Sequence, residues 1–366
     1  MSRGDFSVLH LDGGRRWGGG QNQVRLLMRE LRARGVRQLC LAPRGSPLAA
    51  RLREEGLPVH GIPWRGAFDP RAITAVARVI RGFALVHCHD AHALQVALLP
   101  ARLTGTRVVA SRRVIFPTSA LKWNRADRVI AVSETVRRAL LRSGVHARRI
   151  RRIYSGVDAA EVAALPGLSP PLRQRLTLGA GDFLIGNIGH LDPCKGQDVI
   201  PRAAARLPGT HWVIVGEGPR RAALESAARA LEVAGRVHLT GFIPDARRVL
   251  RELDLFVFCS NEEALGTSVL DAMAQGVPVV AADATGVAEV LGPVHEETGA
   301  TLYTPGDEAE LARRVRAVQE NPGLRAAMLA AQRRRLEAFL VTMTAEHTLA
   351  VYQELMTPGR GEGGVE

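Results

Sequence analysis

Short apolar runs alternate with segments of helical period along almost the whole chain, and this rhythm constrains the fold more than any other feature. The runs are FSVLHLD (residues 6–12), VRQLCLA, LPVHGI, ALVHCH, TRVVAS, RVIAVS and IRRIYSG in the first half. FLIGNIG, HWVIVG, RVHLTG, LDLFVF and VPVVAA follow in the second. Between them lie helical faces such as Val24, Leu27, Met28 and Leu31 within 21–34. Further helices are expected near 48–55, 71–81, 91–103, after an N-cap at Ser133, near 197–206, 220–231, 246–253 and 268–275, and from Asp307 onward. Strands alternating with helices give parallel sheets covered on both faces. Twelve such strands in 366 residues suit two domains better than one. The stretch LPGLSPP, inside 163–171, is rich in proline and small residues and reads as the linker. The expected fold class is α/β, with two doubly wound Rossmann-like domains facing a cleft. Their bounds are 1–162 and 163–340. A C-terminal helix within 341–366 packs back on the first domain and ends in a frayed, Gly-rich tail.

Aromatic residues make up only 4% of the chain, so the cores must be aliphatic, and stacking platforms for single-stranded nucleic acid are disfavoured. The formal charge of +13 favours an anionic partner, such as a phosphorylated substrate or an anionic lipid surface, although an arginine-rich composition alone would also raise it. The four cysteines, Cys40, Cys88, Cys194 and Cys259, show no CxxC spacing and read as reduced thiols of a cytoplasmic protein. Acidic residues Asp5 and Asp12 flank the first apolar run, which therefore does not read as a signal peptide. No run approaches the roughly 18 apolar residues of a membrane span, so any membrane association would be peripheral.

Ligands of doubly wound sheets bind at the C-terminal ends of the strands. The first strand ends in DGGRRWGGGQ, whose glycines allow close backbone approach to a phosphate or sugar at a helix start. It does not have the dinucleotide-binding spacing, and no Walker motif occurs. Another strand ends in His87, Cys88, His89 and Asp90. The two histidines share one face of an extended strand. A polar wall touching the acceptor, plain structure and a metal site all remain open there. In the second half, GHLDPCKGQD places Lys195 where a helix should begin, a position from which an ammonium can reach a phosphate. Apart from Lys122 it is the only lysine in the chain. VGEGP, with Gly216, and TGFIPD, with Phe242, are further strand-to-helix turns, each a weak signal alone.

The stretch SNEEALGTSVLDAMAQGVPVV is more specific. It follows the strand LDLFVF and places Glu263, Gly266, Thr267 and Asp271 around a helix start. Ser268 and Asp271 have the spacing of a capping box, which would account for Asp271 alone. Carboxylates that accept hydrogen bonds from vicinal hydroxyls, beside amides that bind phosphates, account for all of these residues at once.

EALGTSVLDAMAQGVPVV, together with GHLDPCKG, VGEGP and TGFIPD in the same order, resembles the GT4 family of retaining glycosyltransferases, of GT-B fold. The resemblance covers most of the chain. It implies that Glu263 contacts the donor sugar, that Asp271 takes the place of the glutamate that holds the ribose, and that Lys195 binds the diphosphate. Gly19 and Gly20 would lie in the loop facing donor and acceptor. The donor site would comprise these residues with His190, Gly216, Phe242, Gly266 and Thr267, and Lys195 and Glu263 would carry catalysis. Some positions depart from the family pattern. Asp271 is one methylene shorter than glutamate, Leu265 replaces the usual phenylalanine, and His190 stands where many members have an arginine. Ser111, Arg112 and Arg113 stand where many have a histidine, so no catalytic histidine is assigned there.

The expected reaction is transfer of a sugar from a nucleoside-diphosphate sugar with retention at the anomeric carbon. Lys195 and helix-start amides would stabilise the leaving diphosphate. The chain contains no Asp-x-Asp, and no metal or other cofactor is expected. The acceptor would be a glycan or glycolipid of lipopolysaccharide or cell-surface polysaccharide synthesis, touched by His87, His89, Asp90, Arg112 and Arg113. The basic stretch 137–152 would serve an anionic membrane surface on the inner face of the cell membrane. A nucleotide-sugar epimerase on the same fold and a basic nucleic-acid-binding protein are the rival readings. The latter lacks any recognition motif.

Overall fold

The computed structural model describes residues 7–357, so Asp5, Phe6 and the tail after Thr357 lie outside the described residues. The chain divides into two compact units, Met1–Gly156 with Val341–Glu366, and Val157–Leu340. The first unit holds a seven-stranded sheet: β1 (Ser7–Leu11), β2 (Arg37–Pro43), β3 (Val59–Ile62), β4 (Leu85–Cys88), β5 (Arg107–Arg112), β6 (Arg128–Ala131) and β7 (Ile150–Arg152). Their order is β3-β2-β1-β4-β5-β6-β7, and every pairing is parallel. The second unit holds β8 (Phe183–Ile188), β9 (Thr210–Val215), β10 (Val237–Gly241), β11 (Leu255–Phe258), β12 (Val279–Ala282) and β13 (Leu302–Tyr303), ordered β10-β9-β8-β11-β12-β13 and again parallel. In both sheets the strand order reverses at the first strand of the unit, which makes the ends of β1 and β8 the switch points of doubly wound sheets.

The aliphatic cores follow from the strand composition. Val8, Leu85, Val109 and Ile130 of the first sheet pack with Leu27 and Leu31 of the Gly19–Ala33 helix. Ala345, Val351 and Tyr352 of the C-terminal Val341–Met356 helix close the same cluster. In the second unit, Ile185, Trp212, Ile214, Val257 and Val280 pack against Val199, Leu311, Val315 and Met328. All four cysteines are free thiols.

The unit boundary lies at Gly156/Val157, six residues before the expected one. Val157 already belongs to the second unit, where its amide donates to the Phe339 carbonyl at 2.9 Å. The proline-rich 163–171 stretch is no free linker. Arg251 donates to the carbonyl of Leu165, and Arg248 to those of Pro166 and Gly167, at 2.6–3.0 Å, which pins the stretch to the Ala246–Glu252 turn. Its composition signals a lack of regular structure, which side-chain donors then fix in place.

Candidate functional site

In the second unit the polypeptide leaves β8 through Gly189–Gly196 and leaves β11 through Ser260–Gly266, and the two loops are bound together. The Asn261 amide donates to the Cys194 carbonyl at 3.0 Å. Gly196, at φ +64°, lies so close to Cys259 that an added Cβ would sit 2.2 Å from its carbonyl oxygen. This contact brings together Lys195 and Glu263, 68 residues apart, with Nζ 2.8 Å from Oε2. Both side chains keep a partial solvent face.

Glu263 is held from behind. Its carbonyl accepts from the Gly286 amide at 3.0 Å and from the Thr285 hydroxyl at 3.1 Å, and its Oε1 accepts from the Ala264 amide at 3.1 Å. Gly286 leaves no room for a side chain, since a Cβ would lie 2.3 Å from the Ala264 carbonyl oxygen. Thr285 and Gly286 start the Thr285–Thr298 helix, which sequence reasoning missed because Gly286, Gly292 and Pro293 read as breakers. The cluster of small residues after β12 was the signal for it.

The Thr267–Gln275 helix begins at Gly266, in left-handed conformation at φ +85°, with no side-chain cap. The capping-box reading of Ser268 and Asp271 is therefore not realised, and first-turn amides beside Glu263 keep no side-chain acceptor. Asp271 lies one turn into this helix, half-buried, and its carboxyl has no hydrogen-bond partner among the described residues. Burial pushes its carboxyl up to about 7 despite the neighbouring Arg247 cation, and Asp245 and Glu161 push in the same direction as burial. Arg247 grips Asp245 through two bonds of 2.7 and 2.8 Å and Glu161 at 3.0 Å. Sequence reasoning missed this arginine, because nothing local ties 247 to 271.

The remaining donor candidates are less uniform. His190 is exposed, with Nδ1 2.7 Å from Asp192. Gly216 packs the two strand-end turns together, because a Cβ there would lie 1.9 Å from the Gly189 carbonyl oxygen. Phe242, after β10, is 74% exposed.

In the first unit, β1, β4 and β5 end in a polar nest. Asp12 is buried, accepts from the Gly14 amide and from Gln21, and so shapes the glycine loop. Burial, with Asp90 nearby, raises its carboxyl. Asp90 accepts from the amides of Gly13, His92 and Ala93, and so joins that loop to the start of the Ala91–Thr104 helix. Gly19 and Gly20 form the first turn of their helix, after an N-cap at Gly18, and the side chain of Arg113 passes beside Gly20.

His87 and His89 are buried with His10, and the ligating nitrogens of the three lie within 4.8 Å of one another. The hydrogen bonds define their roles. Gln38 donates to the Met28 carbonyl, so its oxygen faces His10 Nε2 at 3.2 Å, and that nitrogen carries the proton. His10 Nδ1 must then accept from His89 Nε2 at 2.9 Å. His89 Nδ1 is left to accept from Arg113 at 3.4 Å. Burial keeps all three rings neutral by lowering their basicity, that of His10 to about 3. His87 bonds Tyr352 at 2.5 Å and Ser111 at 2.8 Å. With every ring nitrogen engaged and a guanidinium at one end, this is a directed hydrogen-bond relay and a poor cation site. The two histidines expected to touch an acceptor are therefore buried and taken up by one another and their neighbours. Arg112 is likewise committed inward, to the carbonyls of Val114 and Phe116, over the Trp123 ring. Arg113 and Asp90 keep partial exposure.

Comparison with known proteins identifies the family of the chain. Residues 17–161 match the family described as Glycosyltransferase Family 4, and residues 169–335 match Glycosyl transferases group 1. A 2-deoxystreptamine N-acetyl-D-glucosaminyltransferase of Streptomyces fradiae is 30% identical over 348 residues, 81% of each chain. A lipopolysaccharide core biosynthesis glycosyltransferase, LpsE, of Rhizobium meliloti is 34% identical over 139 residues, 38% of this chain and 39% of that one. Several other curated relatives are matched over 45–65% of their own length. The crystal structure of Anabaena HepE in complex with UDP-glucose superposes with a TM-score of 0.83 at 24% identity, covering 96% of this chain and 100% of that one. The chain belongs to the GT4 glycosyltransferases and has their GT-B fold. The named relatives are transferases, which leaves the epimerase and nucleic-acid readings without support.

Proposed function

We propose that this protein transfers a sugar from a nucleoside-diphosphate sugar to a glycan or glycolipid acceptor, with retention at the anomeric carbon. The observation that carries the reading is the Lys195–Glu263 pair beside the uncapped Thr267–Gln275 helix. An incoming diphosphate competes with Glu263 for the ammonium, and the freed carboxylate accepts from sugar hydroxyls. Lys195 and the first helical amides then face the charge that develops on the leaving phosphate. The leaving phosphate itself takes the acceptor proton, and no metal is required. Asp271 accepts from the ribose and Arg113 faces the acceptor. His190, Gly216 and Phe242 border the donor, and Gly19 and Gly20 border the reacting sugar. The acceptor belongs to lipopolysaccharide or surface-glycan synthesis, in keeping with LpsE among the relatives. The enzyme works in the cytoplasm, peripherally on the inner face of the cell membrane.

The test is thermal stability with UDP, GDP, ADP and CMP and their sugar conjugates, starting with UDP-glucose, the ligand of the HepE crystal structure. A ligand at 100 times its Kd adds about 2.7 kcal/mol. One nucleoside diphosphate stabilises the wild type, and its sugar conjugate adds a further increment. Glu263→Ala keeps the first effect and loses the second, and Lys195→Ala weakens both. A wild type that responds to no nucleotide would overturn the reading.

A further inference from the structure

Between Asp90 and Asp127 the chain runs 36 residues without a single acidic side chain and with six basic ones. This stretch also holds five of the eight exposed large apolar residues among the described residues: Leu99 (55% exposed), Leu103 (72%), Val114 (42%), Phe116 (63%) and Leu121 (69%). Exposed apolar side chains are normally scattered, and a concentration like this one marks an interaction surface.

The tertiary structure sets the helices of the stretch side by side on the first unit, with β5 between them in sequence as part of the sheet. The Ala91–Thr104 helix packs against the short Ala120–Trp123 helix on one side and against Pro70–Val79 on the other. The Pro70–Val79 helix is free of acidic residues too, and Phe68, 75% exposed, precedes it. The acids at the borders are all occupied. Asp69 pairs with Arg71, Asp127 with Arg107, and Asp90 accepts three backbone amides. Arg102 and Arg125 are exposed and have no carboxylate partner among the described residues. The 113–119 loop is built to stand out. Arg112 holds its carbonyls at 114 and 116, and the Trp123 indole donates to Thr118 at 2.7 Å, which leaves Phe116 outside.

We propose that this face docks on the anionic surface of a lipid bilayer, with Phe116, Leu121, Leu99 and Leu103 entering the interface and Arg102 and Arg125 facing the headgroups. Charge selects this occupant. A second copy of the same face would repel the first, and a nucleic-acid backbone offers the leucines nothing to bury. The basic stretch 137–152, expected to fill this role, commits four of its seven arginines to its own fold and exposes none of the large apolar side chains that a bilayer would take up. Arg137 and Arg138 pair with Glu134, Arg151 pairs with Glu354, and Arg149 donates to the Ala126 carbonyl. The proposal deepens the membrane-facing part of the function above and does not depend on the donor site.

The experiment is co-flotation of the full-length protein with vesicles of phosphatidylglycerol and phosphatidylcholine, and with phosphatidylcholine alone. The wild type is expected to float with the anionic vesicles, and to do so less at high salt. Arg102→Gln and Arg125→Gln each weaken binding about fivefold. Phe116→Ser and Leu121→Ser each weaken it about tenfold. Leu231→Ser, at an exposed leucine of the second unit, leaves binding unchanged. Failure of the wild type to bind anionic vesicles at low salt overturns the proposal, and so does binding indifferent to Phe116 and Leu121. Each variant is also checked for its thermal response to nucleotide. Variants that lose vesicle binding but keep that response have lost docking alone. Vesicle binding in a wild type deaf to nucleotide would sink the donor reading and leave this one standing.

Discussion

Burial pushes single residues here toward the uncharged form, which makes a carboxyl hold its proton and an imidazole give its proton up. Asp271, pushed up to about 7, binds a proton in the folded state that it releases in the unfolded chain between about pH 4 and 7. Its contribution therefore favours folding at low pH and is lost as pH rises through 7. Asp271→Asn is expected to raise the melting temperature at pH 7.5 in the absence of nucleotide and to flatten its dependence on pH over that range. The buried histidines act in the other direction. His10 stays neutral down to about pH 3, while the unfolded chain protonates below about 6.5, so stability is lost as pH falls below 6.5. A His10→Gln melting curve measured from pH 7 to 5 should fall less steeply than that of the wild type. Glu263 and Lys195 were legible in the sequence from their motifs. Arg247 and the Gln38–His10–His89 relay were not, because only the folded chain brings these distant positions together.

Elements were easier to read than single contacts. Twelve of the thirteen strands appear in the sequence as apolar runs, and the two-residue β13 is too short to leave a periodic trace. The Thr285–Thr298 helix was hidden by its glycines and proline, and one of those glycines is there because the Glu263 loop lies against it. Gly286→Ala should therefore destabilise the protein by about 1–3 kcal/mol, or displace Glu263. Urea unfolding, with and without the stabilising nucleotide, would separate the two effects. The C-terminal helix contributes Tyr352 to the first core, where its hydroxyl pairs with His87. Tyr352→Phe leaves a buried imidazole nitrogen without its partner and should cost about 1–3 kcal/mol in a denaturant titration.

At the scale of the whole molecule, each unit has its own core and its own strand-end cluster, the first around Asp12, Asp90 and Arg113, the second around Lys195 and Glu263. Nucleotide binding to the second cluster predicts slower amide exchange in the Gly189–Gly196 and Ser260–Asp271 segments on adding the stabilising nucleotide. Protection confined to other segments would refute that assignment. By itself the sequence determined the fold class, the two-unit plan and the motif-bearing loops that follow the strands of the second unit. Hydrophobic period and turn chemistry are local properties, written in consecutive residues. Only the tertiary structure decided where the units divide, which arginines are free, and which histidines are reachable. Those outcomes depend on which distant donor meets which acceptor and on how much water is excluded around them, and neither is encoded in any one stretch of chain.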